Sequence, residues 1–167
     1  MNAGELSALQ TTFRAAMASV ATPVSIVTTI ELFGQPYGTT VSAFSSLSMT
    51  PPMVLVSLDA GSSLLGMIER SGSFGLNVLA ADQAELALRF ANKSPGRFTN
   101  TEWAEECGAA RLAGAAAWVG CAVADIVDGG DHRILLGNVT SVDVTDREPL
   151  TYHARTFGTH RRHVTAC

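Results

Sequence analysis

Two long runs of β-forming residues, 116–127 and 132–145, flank the tetrapeptide Asp128-Gly129-Gly130-Asp131. Nothing else in the chain constrains its fold as tightly. Glycines accept the positive φ values that a tight hairpin loop requires, so the pattern predicts two long antiparallel strands joined by a turn. Such a hairpin is stable only when one of its faces lies on a core. The apolar material for that core is plentiful: hydrophobic residues make up 47% of the 167 and charged residues 16%. The charged share is below the usual quarter or so. Part of the apolar excess is therefore expected to be covered by another subunit or by a ligand.

The remaining segments fit the same antiparallel scheme. Residues 23–30 are β-branched and read as a strand; Gly34-Gln35-Pro36 makes a turn and residues 37–44 return. Met53 to Leu58 is a near-continuous apolar run, which predicts a strand buried on both faces. Phe74 to Leu79 is another strand, and Pro149 to Gly158 a last short one. Three helices are expected. In the first, Leu6, Leu9, Phe13, Ala16, Met17 and Val20 recur at helical spacing, with Asn2 and Glu5 as a capping box and Pro23 ending the pattern. The second runs from Gly61 to Arg70. The third is opened by Asp82 with Glu85, a second capping box, and reaches about Ala91. Lys93 to Thr101 reads as a loop. The sum is about seven strands and three helices, a mainly β fold with flanking helices. The 15 glycines, several at strand bends, suit a strongly coiled sheet or barrel. The length fits one domain over 1–167, with a frayed tail over 159–167.

Several function classes drop out. The formal charge is −4 and no basic block exists beyond Arg161-Arg162, so no nucleic-acid partner is expected. No apolar run is long enough to cross a membrane, and Glu5 with no basic n-region argues against a signal peptide. Cys107, Cys121 and Cys167 are odd in number and lack a CxxC, as expected of reduced thiols in a cytoplasmic protein. His132, His153, His160 and His163 show no metal-ligand spacing, so no metal is expected. Neither a nucleophile elbow nor a phosphate-binding glycine loop occurs. One segment stands out: in Thr39 to Ser48 six of ten residues carry hydroxyls. Such a strand edge can hold a heterocycle or a phosphate. It can equally be a solvated strand, and composition does not decide between the two.

The segment GTTVSAFSSLSMTPPMVLVSLD resembles the short-chain flavin reductase family, the reductase components of two-component flavin-dependent monooxygenases. The resemblance continues in order through FRAAMASVATPVSIVTT, FGLNVLAADQAELALRFA, GGDHRILLGNV and PLTYHARTFG, covering roughly residues 11–158. It implies the split β-barrel of flavin-binding proteins and a homodimer with flavin near the subunit interface. It also implies an NAD(P)H-dependent flavin reductase, which transfers a hydride from NADH or NADPH to FAD or FMN. The reduced flavin then serves a partner monooxygenase. Such chemistry resides in the flavin, so no side chain is expected to act as acid or base.

Residue by residue, the resemblance places Thr39, Thr40, Ser42 and Ala43 along the isoalloxazine and ribityl chain, with Ser57, Leu58 and Asp59 beneath. Ser63 and Leu64 would meet phosphate at a helix start, and Arg89 and Phe90 the far end of the flavin nucleotide. For the nicotinamide it points to His132 and to Tyr152, His153, Ala154 and Arg155. Three positions depart from the family's usual pattern: Pro23, Ala43 and the run His153-Ala154-Arg155.

The alternative is a non-catalytic split barrel holding FMN as a fixed group. The GGDH and PLTY segments favour the reductase, because a pure binder needs no nicotinamide face. An oxidase acting on a phosphorylated pyridoxamine would need a basic phosphate cluster, and the chain has a single lysine, Lys93.

Overall fold

The computed structural model describes residues 3–31, 33–92 and 96–161. Among them are three helices and twelve strands, more strands than the sequence pattern reveals. Helix α1 (Ala3–Ala18) precedes β1 (Thr22–Pro23) and β2 (Ser25–Ile30). A hairpin returns as β3 (Pro36–Val41), and β4 (Phe44–Met49) and β5 (Pro52–Asp59) follow. Helix α2 (Ser63–Ser71), β6 (Ser73–Val78) and α3 (Ala84–Ala91) come next. The small hairpin β7 (Trp103–Glu106) and β8 (Ala109–Leu112) leads to the long β9 (Ala117–Gly129) and β10 (His132–Val144). The hairpin β11 (Leu150–His153) and β12 (Thr156–Thr159) ends the described chain.

Seven strands form one antiparallel sheet in the order β3-β2-β6-β9-β10-β5-β4. The β9–β10 hairpin lies near its centre, as the Asp-Gly-Gly-Asp signal requires, with Gly130 at φ 73 in the turn. Register shifts at Leu136/Gly137 and Val139/Ser141 bend β10, and another at Ser46/Ser48 bends β4. The sheet does not close into a barrel. Its edge strands β3 and β4 are consecutive in sequence, and only Ser42 and Ala43 join them. A second sheet, β1-β11-β12, sits apart, and β7-β8 form a third.

Two apolar clusters hold these layers. Val27, Val56, Leu58, Phe74, Leu76 and Leu135 of the large sheet pack with Leu64, Leu65 and Ile68 of α2. Val24, Ile26, Leu79, Leu112 and Leu150 pack with Ala87 and Phe90 of α3. Asn77 is wholly buried and ties β2, β6 and β8 together: its Nδ2 donates to Ile26 O and Ala110 O, and its Oδ1 accepts from Leu112 N.

Three sequence expectations need correction. Strand β5 is buried on one face only: Val54, Val56 and Leu58 point inward, while Met53, Leu55 and Ser57 are half-exposed. The Asp82–Glu85 capping box does not form. Gln83 precedes the helix instead; its Oε1 accepts from Ala80 N, and Asp82 pairs with Arg147. The closing segment is two strands, not one, because Ala154 and Arg155 take positive φ and turn the chain back. The other proposed capping residue, Asn2, lies outside the described residues, as do Lys93 to Pro95 of the loop, His163 and Cys167. No helix among the described residues is long and apolar enough to cross a membrane.

Candidate functional site

Where β3 and β4 part, a cavity of about 540 Å³ opens. Small-molecule pockets commonly span about 300–1,000 Å³. Strand β3 supplies Tyr37, Thr39, Thr40 and Val41, and the link to β4 supplies Ser42 and Ala43. The end of β5 supplies Ser57, Leu58 and Asp59; the turn into α2 supplies Gly61, Ser62 and Ser63. His132, the first residue of β10, and Arg97 complete the wall. The split in the sheet creates this space: Ser57 N donates to Ala43 O (2.8 Å), and beyond Ala43 the two edges diverge.

The hydroxyls of β3 already have partners. Thr40 Oγ1 donates to Ala87 O (2.6 Å) and Thr39 Oγ1 to Phe90 O (3.3 Å), the latter one of the carbonyls left unpaired at the end of α3. These threonines therefore anchor α3 against the cavity wall. Asp59 shapes the opposite rim. Its Oδ1 accepts from Gly61 N (2.7 Å) and its carbonyl from Ser62 N (2.9 Å), a local turn that delivers the chain into α2. Ser62, the residue capping α2, makes no side-chain capping bond.

His132 stands across the ladder from Asp59. Its Nδ1 lies 2.7 Å from Asp131 Oδ1, and this contact holds the Asp131 carboxyl below its ordinary value. The contact also fixes the ring, turning its other nitrogen away from Asp131. Arg97 is half-buried; its Nη1 donates to Gly38 O (2.7 Å), and its guanidinium lies 5.2 Å from the centroid of the Tyr37 ring.

Nine of the residues singled out in the sequence thus meet at one cavity: Thr39, Thr40, Ser42, Ala43, Ser57, Leu58, Asp59, Ser63 and His132. The others lie elsewhere. Leu64 is fully buried in the core, and Phe90 is fully buried edge-on against Phe98 at 4.9 Å. Arg89 sits on the exposed face of α3, where Nη1 donates to Thr101 Oγ1 (3.1 Å). Tyr152, His153, Ala154 and Arg155 belong to the β11–β12 hairpin, outside the cavity wall. Tyr37, Val41, Gly61, Ser62 and Arg97 were not anticipated. The first four lie within two residues of ones that were; Arg97 lies six residues past the end of α3, and no local pattern marks it.

A second cavity of about 400 Å³ is lined by Trp103, Arg111, Trp118 and Asp143 among others. It contains none of the anticipated residues, and Arg111 is engaged by Glu106 and Asp143. Among the described residues no group of three or more His, Cys, Asp or Glu side chains comes together in a way that could hold a metal ion.

A split antiparallel sheet with a hydroxyl-lined cavity at its opening now stands beside its relatives. The family model for the flavin reductase like domain matches residues 17–161. The chain belongs to the flavin reductase family. This flavin reductase is 40% identical over 154 residues to the actinorhodin polyketide dimerase of Streptomyces coelicolor, covering 91% of this chain and 87% of that one. It is 36% identical over 143 residues to the reductase subunit of a flavin-dependent monooxygenase of Rhodococcus jostii, covering 84% and 73%. Among solved structures, the NADH:FAD oxidoreductase of Streptomyces globisporus superimposes with a TM-score of 0.85 at 30% identity, covering 92% and 94%.

Proposed function

We propose that this flavin reductase oxidises NADH or NADPH, passes the hydride to FAD or FMN held at the split of its sheet, and releases the reduced flavin to a partner monooxygenase. The observation that carries this reading is the convergence of β3, the Ser42-Ala43 link, the end of β5 and the start of α2 on one cavity of about 540 Å³. The relatives named as a monooxygenase reductase subunit and as an NADH:FAD oxidoreductase support the reaction class. The residues present fit a flavin. One edge of the cavity is strand backbone and serine, suited to the polar rim of a heterocycle, and the other is a helix start, suited to an anionic tail.

When bound, the flavin supplies the ring that accepts the hydride. The chain's own residues bind and orient. Ser42, Ala43 and Ser57 line the wall at the split; Asp59 holds the turn that aims α2 at the cavity. Thr39 and Thr40 brace the wall through α3. His132, at the rim of the cavity, orients the nicotinamide in this reading. Leu64 and Phe90 support the site from the core, and Arg89 takes no part in it. The chain acts as one unit over 1–167 and works in the cytoplasm as a homodimer. The apolar side chains exposed on α1 and β10, Leu9, Phe13, Met17, Val142 and Val144, support that dimer.

Replacing Ser57 by phenylalanine puts a ring into the cavity and tests the location. The variant should bind FMN and FAD at least about tenfold more weakly, whereas Arg89→Ala should change affinity less than about twofold, by fluorescence titration. Unchanged affinity in Ser57→Phe would move the flavin elsewhere.

A further inference from the structure

We infer that Arg97 grips the phosphate-bearing tail of the flavin and so discriminates among flavins by their tails. The inference rests on the flavin reading of the cavity. Three ionisable side chains line that cavity or sit at its rim in a polar contact: Asp59, His132 and Arg97. The Asp59 carboxylate is engaged by Gly61 N and the His132 ring by Asp131. Among the described lining residues Arg97 is the only arginine or lysine.

Its position is set from two sides. The Gly38 carbonyl accepts from Nη1 at 2.7 Å, and the Tyr37 ring lies beneath the guanidinium at 5.2 Å. Both partners belong to β3, the strand that presents Thr39 to Val41 to the cavity. A guanidinium held in this way loses little freedom when an anion arrives, and its planar fork matches phosphate oxygens in pairs. Half-burial strengthens the attraction relative to a fully solvated cation. Arg89 lacks this setting. It lines a separate depression together with Asp82 and Glu85, whose carboxylates repel an anion.

Riboflavin carries no phosphate, FMN one and FAD two, so the three separate a tail contact from a ring contact. The full-length protein and its Arg97→Met and Arg97→Lys variants are titrated with each flavin at low and high salt. Arg97→Met should weaken FMN and FAD at least about tenfold and riboflavin less than about twofold. It should also reduce the salt dependence of FMN binding, and Arg97→Lys should restore part of both. Equal losses for all three flavins would make Arg97 a structural support of the cavity and overturn the inference. So would no loss at all, or a raised KM for NADH with flavin affinity unchanged. If Arg97→Met does not fold, the unmodified protein still decides: FMN affinity that ignores salt as riboflavin affinity does would refute a phosphate contact. Failure of the unmodified protein to bind any of the three would instead refute the flavin reading of the cavity.

Discussion

Replacing Gly75 by alanine should be among the most damaging single changes in this chain. Gly75 lies on β6 opposite Gly120 of β9, and the Trp118 ring passes directly over it. A Cβ added there would meet Trp118 Cη2 at 2.1 Å, Cζ3 at 2.4 Å and Ala109 Cβ at 3.0 Å. Carbon atoms in contact normally stand about 3.5–4.0 Å apart, so the indole would have to retreat by about 1.5 Å. It has little room, being 2% exposed, and its Nε1 donates to Glu106 Oε1 at 3.0 Å. Overpacking of a filled site costs about 1–3 kcal/mol, and a hydrogen bond to a charged group is worth about 1.5–3 kcal/mol. The expected total is about 3–5 kcal/mol, which for a chain of this size corresponds to roughly 10–15 °C in Tm. Thermal unfolding followed by circular dichroism measures it. Trp118→Leu combined with Gly75→Ala should recover part of the loss, because the ring that clashes is gone. A Tm within about 2 °C of the unmodified protein would refute the close approach.

Glu106 accepts hydrogen bonds from Ser141, Arg111 and Trp118, and these contacts, led by Ser141, hold its carboxyl below the ordinary 4.5. A depressed carboxyl contributes stability above its unfolded value and loses it as pH falls through the folded one. Glu106→Gln should therefore lower Tm at neutral pH, and the gap should shrink as pH falls below 4.5; a pH-independent gap would contradict this. His132→Ala should lower kcat/KM for the reduced nicotinamide by about tenfold, near 1.4 kcal/mol, with flavin affinity changed less than about threefold. The reverse pattern in stopped-flow reduction and flavin titration would assign His132 to the flavin.

The parts of the fold legible in the sequence are those whose turns carry their own chemistry. Asp128-Gly129-Gly130-Asp131 announces β9–β10 because glycine adopts positive φ at no steric cost. Cys107-Gly108 and Ala154-Arg155 make equally tight reversals, but Cys107, Ala154 and Arg155 reach φ of 53, 47 and 64 without any side chain that advertises it. Tertiary contacts hold them: the Ala154 amide donates to Ala18 O at the end of α1, and Gly108 O accepts from Ile30 N. The site divides in the same way. Thr39 to Ala43 and Ser57 to Ser63 are contiguous segments, and their resemblance to the family locates most of the cavity. Arg97 belongs to it through Gly38 O and the Tyr37 ring of β3, an arrangement with no local periodicity to reveal it. Leu64 follows Ser63 in sequence, but α2 turns its side chain into the core; Phe90 is buried likewise and meets the cavity wall through its carbonyl, which accepts from Thr39 Oγ1.

We assign flavin reduction to the split of the sheet. Mixing the purified protein with NADH and free FMN or FAD, and following nicotinamide absorbance, tests it most directly. NADH should be consumed catalytically with at least one of the two flavins, and Ser57→Phe should slow consumption at low flavin concentration. A protein that binds flavin yet consumes neither NADH nor NADPH above the rate of free flavin would contradict the claim and leave a non-catalytic flavin binder.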